Sequence, residues 1–382
     1  MFIGDNCNCN RTVQLTHKLF DMSDQSAKYL NVLFSGTGSY VPSRIVPNSE
    51  FASREFLVSE NEKANGTPQE VVQKFEAITG IRERRYVDDN LVTSDMAAEA
   101  CARALESAGI DKEEVNLLIV AQNFGDVRHG QGQGDQLPSL ASKVKQKLDL
   151  KNPSCQAFDI IFGCPGWVQA VIVAEAMMRS GNLKHALVVG AESLSRVVDP
   201  SDRDSMIFAD GAGATVLTAV WEKEKRGILH HEVLSHGGED VDFLYMDHAY
   251  EHPDDQKYIK MKGRKIYEYA LKYVPEAMKT CMDGAGYSLE DLSRIVMHQA
   301  NEKMEEQIAK RFVRLYGQRD FDKDLVPMTI DSLGNSSVAT VPTLLDFLYK
   351  GEFDERKVKE GDLYLLASVG AGMNINAVLY KW

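Results

Sequence analysis

No stretch of the 382-residue chain reaches the roughly 20 uninterrupted apolar residues that a membrane-spanning helix needs. The best run, Trp167 to Met178, is broken by Gln169 and Glu175, so no membrane span is expected. Positive charge is also short. The 43 Lys and Arg face 56 Asp and Glu, and the net charge of -13 argues against a general nucleic-acid binder, because phosphate backbones call for a positive field. The amino terminus, MFIGDNCNCNRTVQ, lacks a basic start followed by an apolar stretch, so secretion is not expected and the location is read as cytoplasmic. Cysteine is too sparse for a disulfide framework: six in so long a chain are expected to be free thiols in a reducing compartment. Cys101 and Cys281 fall in predicted helices and Cys155 precedes a predicted strand, so all three are assigned to the core, while Cys7 and Cys9 lie in a polar tail. The irregular spacing of His230, His231, His236, His248 and His252 fits no metal-ligand pattern, and no metal is expected.

What is present is an ordinary globular composition, 44% hydrophobic and 26% charged, at a length that fits two domains or one duplicated one. Residues 1–30 are polar and aperiodic and are treated as an amino-terminal extension. From Val32 onward apolar strand runs alternate with amphipathic helices: Val115 to Ala121, Gln156 to Ile161 and Ala186 to Ala191 as strands, Asp95 to Ala108, Ser139 to Leu148 and Pro165 to Ser180 as helices. Beyond the charged join at Glu222 to Gly227 the pattern resumes, with helices at Lys265 to Asp283, Glu302 to Tyr316 and Ser337 to Lys350 among strands at Arg294 to Met297, Asp362 to Ser368 and Met373 to Tyr380. Buried β-branched runs between helices predict an α/β fold with parallel strands covered on both faces. The halves are placed at 31–222 and 223–382. Residues 59–70 and the four-glycine stretch 123–137 stand out as long polar loops, the second either a lid or subunit contact or plainly disordered.

The two halves repeat each other. Shifted by 177 positions, Glu99-Ala100 falls on Glu276-Ala277, Ala108-Gly109 on Ala285-Gly286, Leu118-Ile119 on Ile295-Val296 and Gln122 on Gln299. With slightly different shifts, Gly163-Cys164 falls on Gly334-Asn335 and Val189-Gly190-Ala191 on Val369-Gly370-Ala371. An ordered series this long argues for a duplicated unit facing itself across a pseudo-two-fold axis. The copies differ where chemistry would sit: Cys164 opposes Asn335, and His298 takes the place of Ala121 at the end of a matched strand.

Cys164 lies between a strand and a helix, where the positive end of the backbone dipoles would ease loss of its proton and make it a nucleophile. A buried structural cysteine is the plainer alternative. His298 follows a strand directly, and active sites collect at the carboxyl ends of parallel strands; otherwise it is a hydrogen-bonded surface histidine. Asn335 is either a partner to the thiol or a helix N-cap. Asp210-Gly211-Ala212-Gly213-Ala214 and Val369-Gly370-Ala371-Gly372 could cradle phosphate, yet neither carries a Walker lysine or a dinucleotide fingerprint. Small residues there also permit close backbone approach, and their N–H groups could hold an oxyanion.

Taken together, six segments resemble the β-ketoacyl-acyl-carrier-protein synthase III family of the thiolase superfamily: Gly36 to Pro42, Thr79-Gly80-Ile81-Arg82, Ala157-Phe158-Asp159 leading to Cys164, Phe208 to Ala214, His298-Gln299-Ala300-Asn301, and Gly334-Asn335-Ser336-Ser337. They occur in family order from about residue 32 to the end. The resemblance implies a thiolase-like duplicated α-β-α-β-α fold, a homodimer, and a decarboxylative Claisen condensation. Cys164 would carry the acyl group. His298 and Asn335 would stabilise the enolate formed from a malonyl thioester. The backbone N–H groups of Cys164 and Ala371 would form the oxyanion hole, and Arg203, Asn301 and Lys303 would contact substrate. Coenzyme A or acyl-carrier-protein thioesters would be substrates, with no separate cofactor.

Some positions depart from the family pattern. Lys74 and Ile78 stand where a tryptophan and an arginine usually flank the adenine of coenzyme A, Lys303 stands for an arginine, Ala371 for a glycine, and Phe162-Gly163 for a small pair. Acetyl-coenzyme A as primer therefore does not follow. Lys303, Lys310 and Arg314 share a face of one predicted helix with Arg311 beside them, a basic patch suited to an acidic acyl carrier protein. The alternative is a solvated face balanced by Glu302, Glu305 and Glu306. Rival functions are another thiolase-fold condensing enzyme, secondary-metabolite or 3-hydroxy-3-methylglutaryl-coenzyme A synthase-like, or a non-catalytic partner that binds carrier protein. The synthase-like rival needs a carboxylate base near the cysteine, and the sequence alone assigns none.

Overall fold

The computed structural model describes residues 28–60, 62–181, 183–251, 256–352 and 357–382; Cys7, Cys9, His252 and nearly all of the amino-terminal extension lie outside them. The first half contributes β1 (Tyr29–Tyr40), α1 (Pro68–Thr79), α2 (Thr93–Ala108), β2 (Leu117–Ala121), α3 (Leu140–Lys147), β3 (Gln156–Ile160), α4 (Gly166–Gly181), β4 (His185–Ser193) and β5 (Asp210–Glu222). The second contributes β6 (Gly227–Ser235), the small hairpin of β7 (Leu244–Asp247) and β8 (Tyr258–Met261), α5 (Gly263–Ala285), β9 (Arg294–Met297), α6 (Glu302–Arg314), α7 (Thr340–Lys350), β10 (Leu363–Gly370) and β11 (Asn374–Lys381).

The duplication is visible in the hydrogen bonding. One sheet runs β1-β5-β4-β2-β3 and the other β6-β11-β10-β9. In the first, β4 pairs parallel with β2 and antiparallel with β5, which pairs antiparallel with β1. In the second, β10 pairs parallel with β9 and antiparallel with β11, which pairs antiparallel with β6. Strand β3, parallel to β2, is the addition at the edge of the first sheet.

Side-chain alternation sorts the chain into layers, because successive strand residues point to opposite faces. Leu117, Ile119 and Ala121 of β2 join Val296 of β9 and Leu366 of β10 in a core built around α4 and α7. Leu118 and Val120 turn the other way, onto α2 and α3. Ile295, Met297 and Leu365 face α5 and α6. The order is thus helices, sheet, central helices, sheet, helices. Sandwiched α4 must be apolar nearly all round, which explains the long apolar run of its sequence. Its Trp167 is fully buried with the indole N–H on Val188 O at 3.4 Å, and removing such a side chain from a core costs about 3–5 kcal/mol. Among the described residues no helix is long and apolar enough to cross a membrane. Cys101, Cys155 and Cys281 are buried free thiols, as expected.

Three expectations change. Residues 59–70 are not simply a loop: Leu57–Ser59 pairs with Glu62–Lys63, and Thr67 with Glu70 forms a reciprocal capping box that opens α1. The signal was present in Thr67-Pro68-Gln69-Glu70, a capping-box sequence with proline at the first helical position. The glycine-rich stretch 123–137 is ordered by a short ladder, Asp126–Val127 with Gly134–Asp135, and by Asp126, which accepts from Ser94 N and Oγ at 2.8 and 2.9 Å. Asp210 to Ala214 is no phosphate cradle; it is buried strand β5, where a Cβ on Gly213 would stand 2.7 Å from Thr343 N, so glycine admits α7.

Candidate active site

The parallel strands of both sheets end toward a common region, and the residues that follow them are those singled out in the sequence. Asn123 follows β2, Cys164 follows β3, His298 follows β9 and Ala371 follows β10. Cys164, His298 and Asn335 line one cavity of about 580 Å³, walled by apolar groups such as Phe208, Met304 and Val369.

The thiol is presented by a turn that needs glycine. Gly163 has φ 65°, and a Cβ there would stand 2.7 Å from Ala371 N, so the Cys164 turn and the Ala371 turn touch backbone to backbone. The Ala371 turn is itself strained, with Met373 at φ 52°. Three donors hold it: His236 N and Tyr269 Oη–H both reach Met373 O, at 3.1 and 2.8 Å, and Asn374 Nδ2 reaches Ala371 O at 2.9 Å. Since the single Tyr269 proton is given to Met373 O, His236 Nδ1–H must be the donor in its 2.6 Å bond to Tyr269 Oη. His236 thus braces this turn through Tyr269 of α5, a pairing that only the fold shows.

The expected activation of Cys164 by the helix start does not dominate. Burial pushes the thiol up to about 11; a hydrogen bond with Ser337 opposes this, and the nearby Glu192 adds to it. α4 begins only at Gly166, and desolvation of the thiolate outweighs the dipole. His298 is buried and held neutral, its imidazole pushed down to about 4 by burial. Thr340 Oγ1 donates to Ser337 O at 3.0 Å, so in the 2.7 Å contact with His298 the ring Nδ1–H donates and Nε2 keeps its lone pair.

Asn335 is held on three sides. Its N–H donates to Ile207 O, its C=O accepts from Ala209 N, and its Oδ1 accepts from Ser337 N at 2.8 Å. A backbone N–H can only donate, so the carboxamide orientation is fixed and Nδ2 is left with its hydrogens for the cavity. The helix N-cap alternative is not what the fold shows: Ser336 and Ala339 hold the N-cap positions of the helices that follow, and Asn335 instead closes a turn onto Ser337 N.

Arg203 and Asn301 line the cavity, the first paired with Asp204 at 2.8 Å, the second capping α6 through Met304 N at 3.1 Å. Lys303 is not among the lining residues; it is exposed on α6, between Asn301 and Met304, which do line the cavity. Lys74 and Ile78, flagged as departures, both line the cavity. Sequence reasoning assigned no carboxylate near the cysteine, yet Glu192 lies buried beside it without reaching the cavity wall. Among the described residues no cluster of His, Cys, Asp and Glu could hold a metal ion.

Comparison with known proteins gives a consistent picture. The profile described as 3-oxoacyl-[acyl-carrier-protein (ACP)] synthase III matches residues 158–237, and its C-terminal companion matches residues 282–382. The chain is 35% identical over 354 residues to the β-ketoacyl-[acyl-carrier-protein] synthase III of Neisseria meningitidis serogroup C / serotype 2a, covering 91% of this chain and 98% of the relative. The fold matches the crystal structure of 3-oxoacyl-[acyl-carrier-protein] synthase III from Aquifex aeolicus VF5 with TM-score 0.74 and 29% identity, over 93% of this chain and 100% of that one. It also matches the priming β-ketosynthase of the R1128 polyketide biosynthetic pathway, TM-score 0.76 and 26% identity, over 93% and 97% of the two chains.

Proposed function

Because the chain belongs to the β-ketoacyl-[acyl-carrier-protein] synthase III family, we propose that Cys164, His298 and Asn335 carry out the condensation of an acyl group with malonyl-acyl-carrier-protein. The observation that supports this reading most is the meeting of these three side chains, drawn from both halves 31–222 and 223–382, on one largely apolar cavity.

In the first half-reaction Cys164 Sγ attacks the carbonyl carbon of an acyl thioester. A thiol pushed up to about 11 needs a proton acceptor, and the neutral His298 offers its Nε2 lone pair. The N–H groups of Cys164 and Ala371 receive the oxyanion, the donor's C–S bond breaks, and the departing sulfur takes the proton. In the second, the malonyl thioester loses carbon dioxide. Asn335 Nδ2 and His298 Nε2–H hold the resulting enolate oxygen while its carbon attacks the acyl-cysteine. Cys164 leaves as thiolate and recovers a proton. For Nε2 to become a donor the neutral ring must exchange tautomers, and Thr340 allows it by turning its hydroxyl from Ser337 O to Nδ1. Decarboxylation generates the carbanion without a carboxylate base, which accords with Glu192 standing off the cavity wall.

Two partners follow from this reading. An acidic carrier protein would dock on α6, where Lys303, Arg311 and Arg314 are exposed and Lys310 half-buried. Balance by the acidic residues of the helix is weakened by Glu305, which is buried and accepts from Ala300 N and Asn301 N at 2.7 and 3.1 Å. Reversing charge at Lys310 and Arg311 should raise KM for malonyl-carrier by about tenfold at low salt and less at 0.1 M, where screening acts over roughly 10 Å. Unchanged carrier kinetics in the folded variant would remove the docking site from α6. A second copy of the chain would pair along β3, the edge strand whose backbone ladder, among the described residues, is with β2 alone, with Ile161 61% exposed at its end.

The function itself is tested by offering acyl-coenzyme A and acyl-carrier thioesters, weighing the protein, then adding malonyl-carrier. The expected result is an acyl adduct that disappears as carbon dioxide and β-ketoacyl-carrier appear together. An adduct that persists in the presence of malonyl-carrier would exclude decarboxylative condensation.

A further inference from the structure

Glu192, near the end of β4, has no exposed surface and no place in the mechanism above. Its Oε1 accepts from Asn123 Nδ2 at 2.6 Å, and Asn123 Oδ1 accepts the Gly163 N–H at 3.1 Å. Two hydrogen bonds therefore join a buried carboxyl to the glycine whose left-handed turn presents Cys164 and abuts Ala371. Neither Glu192 nor Asn123 lines the cavity, so both act through the turn. Glu192 Oε2 is buried with no hydrogen-bond partner, which is tolerable for a neutral acid and expensive for an anion.

The titratable groups facing Glu192 are Asp210 from β5 and Cys164 from the turn after β3; the β2 side offers Asn123, which is uncharged. No cation among them would stabilise the carboxylate. We propose that Glu192 is a positioning residue for Cys164, holding the Gly163 turn through Asn123, and that its ionisation works against the Cys164 thiolate. Burial holds this carboxyl up to about 8, so it is neutral at pH 7 and gains charge as pH rises through that value. The thiol and the carboxyl then titrate as a coupled pair in which each anion disfavours the other.

The proposal rests on Cys164 as the nucleophile, but its test reads thiol reactivity directly and is independent of acyl transfer. Alkylation of Cys164 by iodoacetamide is followed at the level of its peptide from pH 6.5 to 10, in wild type, Glu192→Gln, Glu192→Ala and Asn123→Ala. Glutamine keeps the acceptor for Asn123 and cannot ionise. It should match wild type within about twofold at pH 7 and exceed it by about tenfold near pH 9.5, the effect of one nearby charge shifting a thiol by about one unit. Glu192→Ala and Asn123→Ala should each slow alkylation about tenfold at pH 7, as expected when a supporting hydrogen bond to a reactive turn is lost. Coincident profiles for wild type and glutamine would overturn the electrostatic role even if the alanine variants fail to fold. Equal slowing by glutamine and alanine would overturn the positioning role and leave only packing.

Discussion

Cys164→Ala should gain no acyl mass from any thioester donor, and condensation should fall by about 10⁴-fold or more, because removing a nucleophile removes the covalent route. No other described thiol is placed to substitute. Cys101, Cys155 and Cys281 are buried, and burial raises each of them. None lines the cavity. If the alanine variant still takes up an acyl group while Cys155→Ala does not, the assignment is wrong. The same site makes a pH prediction. With the thiol up near 11 and neutral His298 as its proton acceptor, the reactive pair is fully populated over this range, so the rate of single-turnover loading should stay nearly level across pH 7 to 10. With His298 down near 4, its ring stays neutral over that range, so no inflection should appear near 6.5, where an unburied imidazole titrates. An inflection there would place a protonatable histidine in the loading step.

Most of the scaffold was legible because duplication and periodicity are written along the chain. The match of Leu118-Ile119 with Ile295-Val296 identified equivalent strands, and the fold places both in the same position of their sheets. Strand-to-turn junctions located Cys164 and His298, since the turn after a buried parallel strand is visible as an apolar run that stops. What stayed hidden depends on tertiary contact. The thiol's environment is set by depth, and depth outweighed the dipole that the sequence suggested. The donors on Met373 O come from His236 and Tyr269, which no local pattern pairs. Glu192 sits in Ala191-Glu192-Ser193, a strand end whose burial follows from tertiary contact, with β5 paired on one side and Asn123, just beyond β2, bonded on the other. The glycines of β5 misled for the opposite reason: close helix packing and phosphate binding ask for the same small residues.

Asn335→Asp should suppress malonyl decarboxylation by about 10²–10³-fold while acyl loading on Cys164 persists, since oxyanion donors are worth about this much each. The substitution is chosen for what it keeps. An aspartate retains the Oδ1 that accepts from Ser337 N and leaves the backbone bonds to Ile207 and Ala209 intact, so the turn survives. It exchanges the Nδ2 donor for an acceptor facing the enolate, which reverses the sign of the interaction at the point where negative charge develops. His298→Ala should lose decarboxylation to a similar degree and also slow loading, because its Nε2 is the proton acceptor available to a thiol pushed up by burial. Loading and decarboxylation are measured separately, by the mass of the acyl-enzyme in the absence of malonyl substrate and by carbon dioxide release from malonyl-carrier. Thr340→Val then distinguishes the two demands on the histidine: without the hydroxyl on Nδ1 the ring has no partner to accept from it in one tautomer and donate to it in the other. That variant should depress decarboxylation more than loading. Equal losses in both steps for Asn335→Asp would show that the carboxamide serves the turn alone, and the enolate would have to be held by His298 without it.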